Sequence, residues 1–160
     1  MKNNSSAIGL DVSKSNELAH ELNLLLAGYQ VLYMNTRGFH WNIKGDKFFE
    51  LHVKFEELYN NFQLKIDEIA ERVLTLGHTP FHSYTEYLRN SAIKEVTGVT
   101  EGKNCVAHIL DSFREILVRQ RALLNLSSEA GDEGTNALMS DYIREQEKLV
   151  WMYSAFLKNG

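Results

Sequence analysis

Five side chains between residues 40 and 71 have the chemistry of a metal site: His40, His52, Glu56, Asp67 and Glu71. Imidazole nitrogens and carboxylate oxygens in one donor set suit iron, zinc or manganese, and suit calcium and magnesium poorly. His52 and Glu56 are four residues apart, as are Asp67 and Glu71, so on a helix each pair shares a face. The fifteen residues from His52 to Asp67 rise about 22 Å along a helix axis. No single ion reaches both pairs on one chain. Two copies of the helix packed antiparallel across a two-fold axis near Asn60 would set His52 of one beside Asp67 of the other, giving two equivalent sites. The bland alternative for Asp67 and Glu71 is a solvated acidic face with Arg72 nearby. Like charges at this spacing repel unless a cation or a partner offsets them.

The elements that must hold these groups are helices. Phe48, Leu51, Phe55, Leu58, Phe62, Ile66, Ile69, Val73 and Leu76 recur at steps of three and four, the apolar stripe of an amphipathic helix over about 47–76. The line His52, Glu56, Tyr59, Gln63, Asp67, Glu71 is displaced from it by one residue, about 100° of rotation, and faces sideways from the core. Asp46 is the expected N-cap, and Gly77 followed by Pro80 the expected stop. Before it, Leu18, Leu22, Leu25, Tyr29, Leu32, Thr36, Phe39 and Ile43 mark a first long helix from near Ser15. Lys44-Gly45-Asp46 reverses the chain, which puts His40 and His52 at similar heights on adjacent antiparallel helices. Ser83 to Glu86 has the spacing of a capping box and opens a short helix through about Arg89; residues 91–99 read as loop. Two further long helices cover about 101–126, with Val106, Ile109, Phe113, Ile116, Leu117, Gln120, Leu123 and Leu124 inward, and from Asp132 or Thr135 to Leu157. Four long helices with one long crossover suit a bundle.

The pattern His40-Trp41-Asn42, Gly45, Phe48, Leu51-His52, Asp67 to Glu71-Arg72 and Leu76-Gly77 resembles the Dps family, the miniferritins that protect bacterial DNA during starvation. The resemblance covers essentially the whole chain. It implies an all-α, ferritin-like four-helix bundle with a short extra helix in the crossover, assembled as a hollow homododecamer of tetrahedral symmetry. It implies ferroxidase activity: Fe(II) is oxidised, preferentially by hydrogen peroxide, and the ferric mineral is stored inside. His40, His52 and Glu56 would come from one subunit and Asp67 and Glu71 from its two-fold partner, with zinc or manganese as substitutes for iron. Trp41 would stand beside the iron and donate electrons, or donate its indole N–H to bound solvent. Glu56 stands where many relatives have Asp. Acidic residues near the start of the last helix line iron-entry pores in the family; here Asp132, Glu133 and Asp141 are the candidates, and Ala137 replaces a common pore aspartate.

Other histidines read as structural. Glu17 and His20 form a lone Glu-x-x-His with no second copy, which argues against a di-iron centre inside one bundle. His78 and His82 flank the only proline, and His108 reads as surface or interface. Met34, Met139 and Met152 read as core filler, and Cys105 as a small buried hydrophobe.

The chain has 160 residues, 44% hydrophobic and 24% charged, which suits one soluble domain. Residues 1–14 read as a flexible tail with no apolar signal-peptide core, and 15–160 as the bundle. A single cysteine is consistent with a reducing cytoplasm, and no apolar run is long enough for a bilayer. The formal charge is −4, with one lysine among the first thirteen residues. Twelve copies multiply that negative charge. A structural nucleoid protein that coats DNA is the alternative function, but phosphate contacts need net positive charge or a lysine-rich tail, and this chain has neither. Gel-shift titration with duplex DNA at physiological salt is therefore expected to show no tight complex; salt-sensitive retention without added divalent cations would contradict this.

Overall fold

The computed structural model describes residues 4–158. Five helices follow in order: α1 Val12–Asn42, α2 Phe48–Thr75, α3 Tyr84–Asn90, α4 Gly102–Glu129 and α5 Glu133–Leu157. The four long ones form two antiparallel hairpins, α1 on α2 and α4 on α5, joined face to face through α1 and α4. The whole inward stripe of α1 is buried, as is that of α2 apart from half-buried Phe48 and Ile66. The α4 stripe is buried through Leu123, with Leu124 half-buried.

Helix ends follow local chemistry. The side chain of Asp11 accepts from Lys14 N, so α1 starts at Val12, earlier than its apolar stripe indicates. Ahead of it Ser6 N donates to Leu10 O and Val12 N to Asn4 O. The expectation for residues 1–3 lies outside the described residues. Asp46 does not cap α2: Phe48 N donates to Gly45 O, and Lys47 becomes the boundary residue without a side-chain cap. The other end of α2 closes as foreseen. Gly77, at φ +88°, donates to Leu74 O and His78 N to Val73 O, the paired bonds of a helix terminated by a left-handed glycine. Ser83 caps α3, and Glu86 reaches back to His82 N. Glu101 caps α4 and Asp132 caps α5.

The crossover between α2 and α4 runs the length of α1 and is clamped at two points by asparagines of that helix. Asn23 donates to Thr79 O and accepts from Phe81 N. Asn35 donates to Lys94 O and accepts from Val96 N. Each amide satisfies loop backbone that would otherwise be left unpaired. At the turn after α1, Lys44 N donates to Thr100 O, so the start of α4 is fastened beside the α1–α2 turn.

Inside the bundle three side chains close a ring. Tyr29 Oη donates to Gln120 Oε1, Gln120 Nε2 to Gln146 Oε1, and Gln146 Nε2 to Tyr29 Oη, at 2.5, 2.7 and 2.6 Å. All three residues are fully buried and mutually satisfied. Cys105 is fully buried, and burial, reinforced by Glu101, pushes its thiol up to about 11; it is a packing group. Of Met34, Met139 and Met152 only Met139 is core. Met34 and Met152 are exposed, because their helices turn those positions outward. No described helix is long and apolar enough to cross a membrane.

The far end of α2 is fixed by Arg72. Its Nη2 lies 2.6 Å from Asp132 Oδ1 and its Nε donates to Thr135 Oγ1. Asp132 is 2% exposed and also accepts from Thr135 N and Oγ1. A Cβ at Gly134 would come within 2.7 Å of the guanidinium, so glycine is what lets the pair close. Removing one partner of a buried ion pair strands the other. Arg72→Ala is expected to lower unfolding stability by about 3 kcal/mol, measured as a shift in urea midpoint; no shift would show that solvent already screens the pair.

Candidate metal centre

His40 lies in the last turn of α1 and His52 near the start of α2. The turn between them does what its length requires and brings the two rings together. Their centroids are 3.8 Å apart and their planes 13° from parallel. The hydrogen bonds are reciprocal: His40 Nδ1 donates to the carbonyl of His52 at 2.6 Å, and His52 Nδ1 to the carbonyl of His40 at 2.7 Å. A carbonyl oxygen only accepts, so both hydrogens sit on Nδ1. The Nε2 atoms are then the nitrogens with lone pairs to offer, and each ring is held by a carbonyl on its other nitrogen, as imidazoles that bind metals are. His40 is buried and His52 half-buried.

Aromatic rings wall the pair. Phe48 stacks on His52 at 4.9 Å, and Tyr59 stands nearly perpendicular to His40 at 5.2 Å. Tyr59 is buried, and its Oη lies 3.4 Å from Glu56 Oε1. The Arg37 guanidinium lies 4.5 Å from the Tyr59 ring, 5.0 Å from Trp41 and 5.7 Å from Tyr33, and donates to Tyr33 Oη at 2.7 Å. That hydrogen bond raises the Arg37 pKa further. Trp41 itself is 57% exposed and touches Arg37. Tyr33, Arg37 and Trp41 recur every four residues on α1; that spacing was visible in the sequence, and Arg37 was the residue it should have drawn attention to.

Asp67 and Glu71 are exposed farther along α2. Asp67 opens onto a groove of about 740 Å³ shared with Gln30, Tyr33, Asn60, Gln63 and Ile66. Among the described residues no three His, Cys, Asp or Glu side chains of this one chain gather to hold an ion. One chain therefore brings the two imidazoles together, places Glu56 one turn beyond His52 on α2, and leaves Asp67 and Glu71 apart.

The remaining candidates sort by contact. Glu17 and His20 are exposed, and His82 turns onto Pro80 O. His108 is half-buried against the core ring of Phe39, so it is more than a surface residue. Asp132 cannot serve a pore, because its carboxylate is buried as the α5 cap and spent on Arg72 and Thr135. Glu133 is exposed, and Asp141 is exposed and bonded to Arg144.

A family model for the ferritin-like domain matches residues 19–160. The chain is similar to the crystal structure of a DPS protein from Vibrio cholerae, described as a member of a broad superfamily of ferritin-like diiron-carboxylate proteins. The two are 58% identical, with 96% of this chain and 97% of that chain covered and a TM-score of 0.95. The crystal structure of a Dps protein from Bacillus brevis is 36% identical, with coverage of 91% and 98% and a TM-score of 0.89. A DNA protection during starvation protein of Porphyromonas gingivalis is 40% identical over 156 residues, 98% of each chain.

His40→Phe keeps a flat ring in the stack while deleting both nitrogens. It is expected to fold and to lose at least about tenfold in Zn(II) affinity by calorimetry, since removing even a group that only hydrogen-bonds a ligand costs that much. Undiminished binding would mean the imidazole pair is not a ligand.

Proposed function

This chain belongs to the Dps family of ferritin-like proteins, and on that footing we propose that it oxidises Fe(II) and stores the ferric product. The reading rests on one observation above the others. Both Nδ1 atoms of the His40–His52 pair are tied to carbonyls, which leaves both Nε2 atoms to meet a metal. His40, His52 and Glu56 supply one half of the donor set. Asp67 and Glu71 of a two-fold partner supply the other half, as the exposure of both, the groove onto which Asp67 opens and the length of α2 favour. Twelve such subunits form a closed shell with the mineral inside, in the bacterial cytoplasm.

The substrates are Fe(II) and hydrogen peroxide. Two Fe(II) held together each give up one electron; peroxide takes both, with two protons, and leaves as two waters. Two-electron reduction avoids releasing a hydroxyl radical. The carboxylates offset the growing positive charge on the metal, and the imidazoles hold it without adding charge. Trp41, next to His40 in sequence, offers the second electron where only one Fe(II) is bound, or an indole N–H to bound solvent. Zinc or manganese can take the same donors. The DNA protection that relatives are named for arises here by removing Fe(II) and peroxide, since a chain of net charge −4 is poorly suited to coating a polyanion.

Complementation tests the shared site. Asp67→Ala with Glu71→Ala, and separately His40→Ala with His52→Ala, are each expected to abolish rapid peroxide-driven Fe(II) oxidation while the fold survives. Co-assembly of the two dead variants should restore roughly a quarter of the wild-type sites, because half of randomly paired dimers are mixed and each regains one site of two. A centre confined to one subunit returns none.

A further inference from the structure

Glu56 is the odd member of the proposed ligand set. It is exposed, and a glutamate side chain turns about three bonds, so left alone it must lose considerable rotamer freedom before it can hold a cation. We propose that Tyr59 is the positioning residue that holds Glu56 ready. This inference rests on the metal-site reading above.

Three observations carry it. First, Tyr59 alone touches two members of the set: its ring meets His40 at 5.2 Å and 82°, and its hydroxyl lies 3.4 Å from Glu56 Oε1. Second, the ring is buried and immobilised. Arg37 covers it at 4.5 Å, and Tyr33 meets it nearly edge-on at 6.1 Å and 87°. Third, Glu56 Oε1 is the hydrogen-bond partner found for that hydroxyl among the described residues, and Arg37 Nη1 donates to Tyr33 Oη instead.

The geometry has a simple origin. Residues three apart on a helix are neighbours, and side chains lean toward the helix N-terminus. The Tyr59 ring therefore reaches back over the turn that carries Glu56. The phenol donates to one carboxylate oxygen and leaves the other for a cation. Arg37 fixes the ring, the ring fixes the carboxylate, and the same ring stands against His40. Imidazole and carboxylate are thus held as one unit before any ion arrives, and pre-organisation of this kind appears as affinity.

The test uses Co(II), whose visible absorption reports ligand number and geometry, titrated into the assembled protein under anaerobic conditions. Glu56→Gln identifies the binding event to which Glu56 contributes. Tyr59→Phe keeps the ring against His40 and beneath Arg37 and removes only the hydroxyl. It is expected to weaken that same event about twofold, the low end of a net hydrogen bond, as suits a 3.4 Å contact, with the melting temperature unchanged. In the Glu56→Gln background Tyr59→Phe should have no further effect, the coupling a double-mutant cycle isolates. Undiminished affinity in Tyr59→Phe, or an equal loss with Glu56 already replaced, overturns the assignment. If His40→Ala also leaves the Co(II) spectrum and affinity intact, the metal-site reading itself falls, and Tyr59 with it.

Discussion

A straight α-helix climbs about 1.5 Å per residue, and that fixed rise governs this molecule. α2 carries its histidine and its acidic pair some 22 Å apart by the same rise, on one sideways face. Nothing within a single bundle can shorten that distance. The chain thus presents two half-sets of candidate ligands, and among the described residues they do not converge. An antiparallel two-fold partner resolves the separation because it reverses the order of the two halves, which is why the proposed function places its chemistry between chains.

The histidine half is built by backbone as much as by side chain. The short turn after α1 brings two carbonyls and two imidazoles into register, and each ring is anchored by the other residue's carbonyl. Such bonds hold only if the ends of α1 and α2 keep their spacing. That spacing is secured from outside the site, by the buried stripes of both helices and by the crossover strapped along α1 through Asn23 and Asn35. The acidic half is steadied differently. Arg72, next to Glu71, is locked to Asp132 and Thr135 at the head of α5, so the last turns of α2 are tied to the opposite hairpin.

The middle of the bundle gathers no metal-binding cluster among the described residues. Tyr29, Gln120 and Gln146 fill the centre with a closed ring of neutral hydrogen bonds. No charge waits there for a cation, and no polar group of the ring is left needing one.

Much was written in the sequence because it depends on periodicity and local capping. The apolar stripes fixed four long helices, Gly77 fixed the end of α2, and the spacing of His40 and His52 around a five-residue connection was enough to bring them together. Local polarity misled in two places: Asp46 was outcompeted as a cap by the turn that Gly45 accepts, and Met34 and Met152 face outward despite their hydrophobicity. What only the tertiary structure decided involves groups far apart in the chain or bonds with no sequence period. The burial of Asp132 depends on an arginine sixty residues away. The tautomer of the two histidines depends on carbonyls that composition cannot orient. The enclosure of Tyr59 depends on Arg37 from a neighbouring helix. A sequence pattern determines which face a residue occupies, because helix geometry is local; which partner waits at that face is set by how the helices pack.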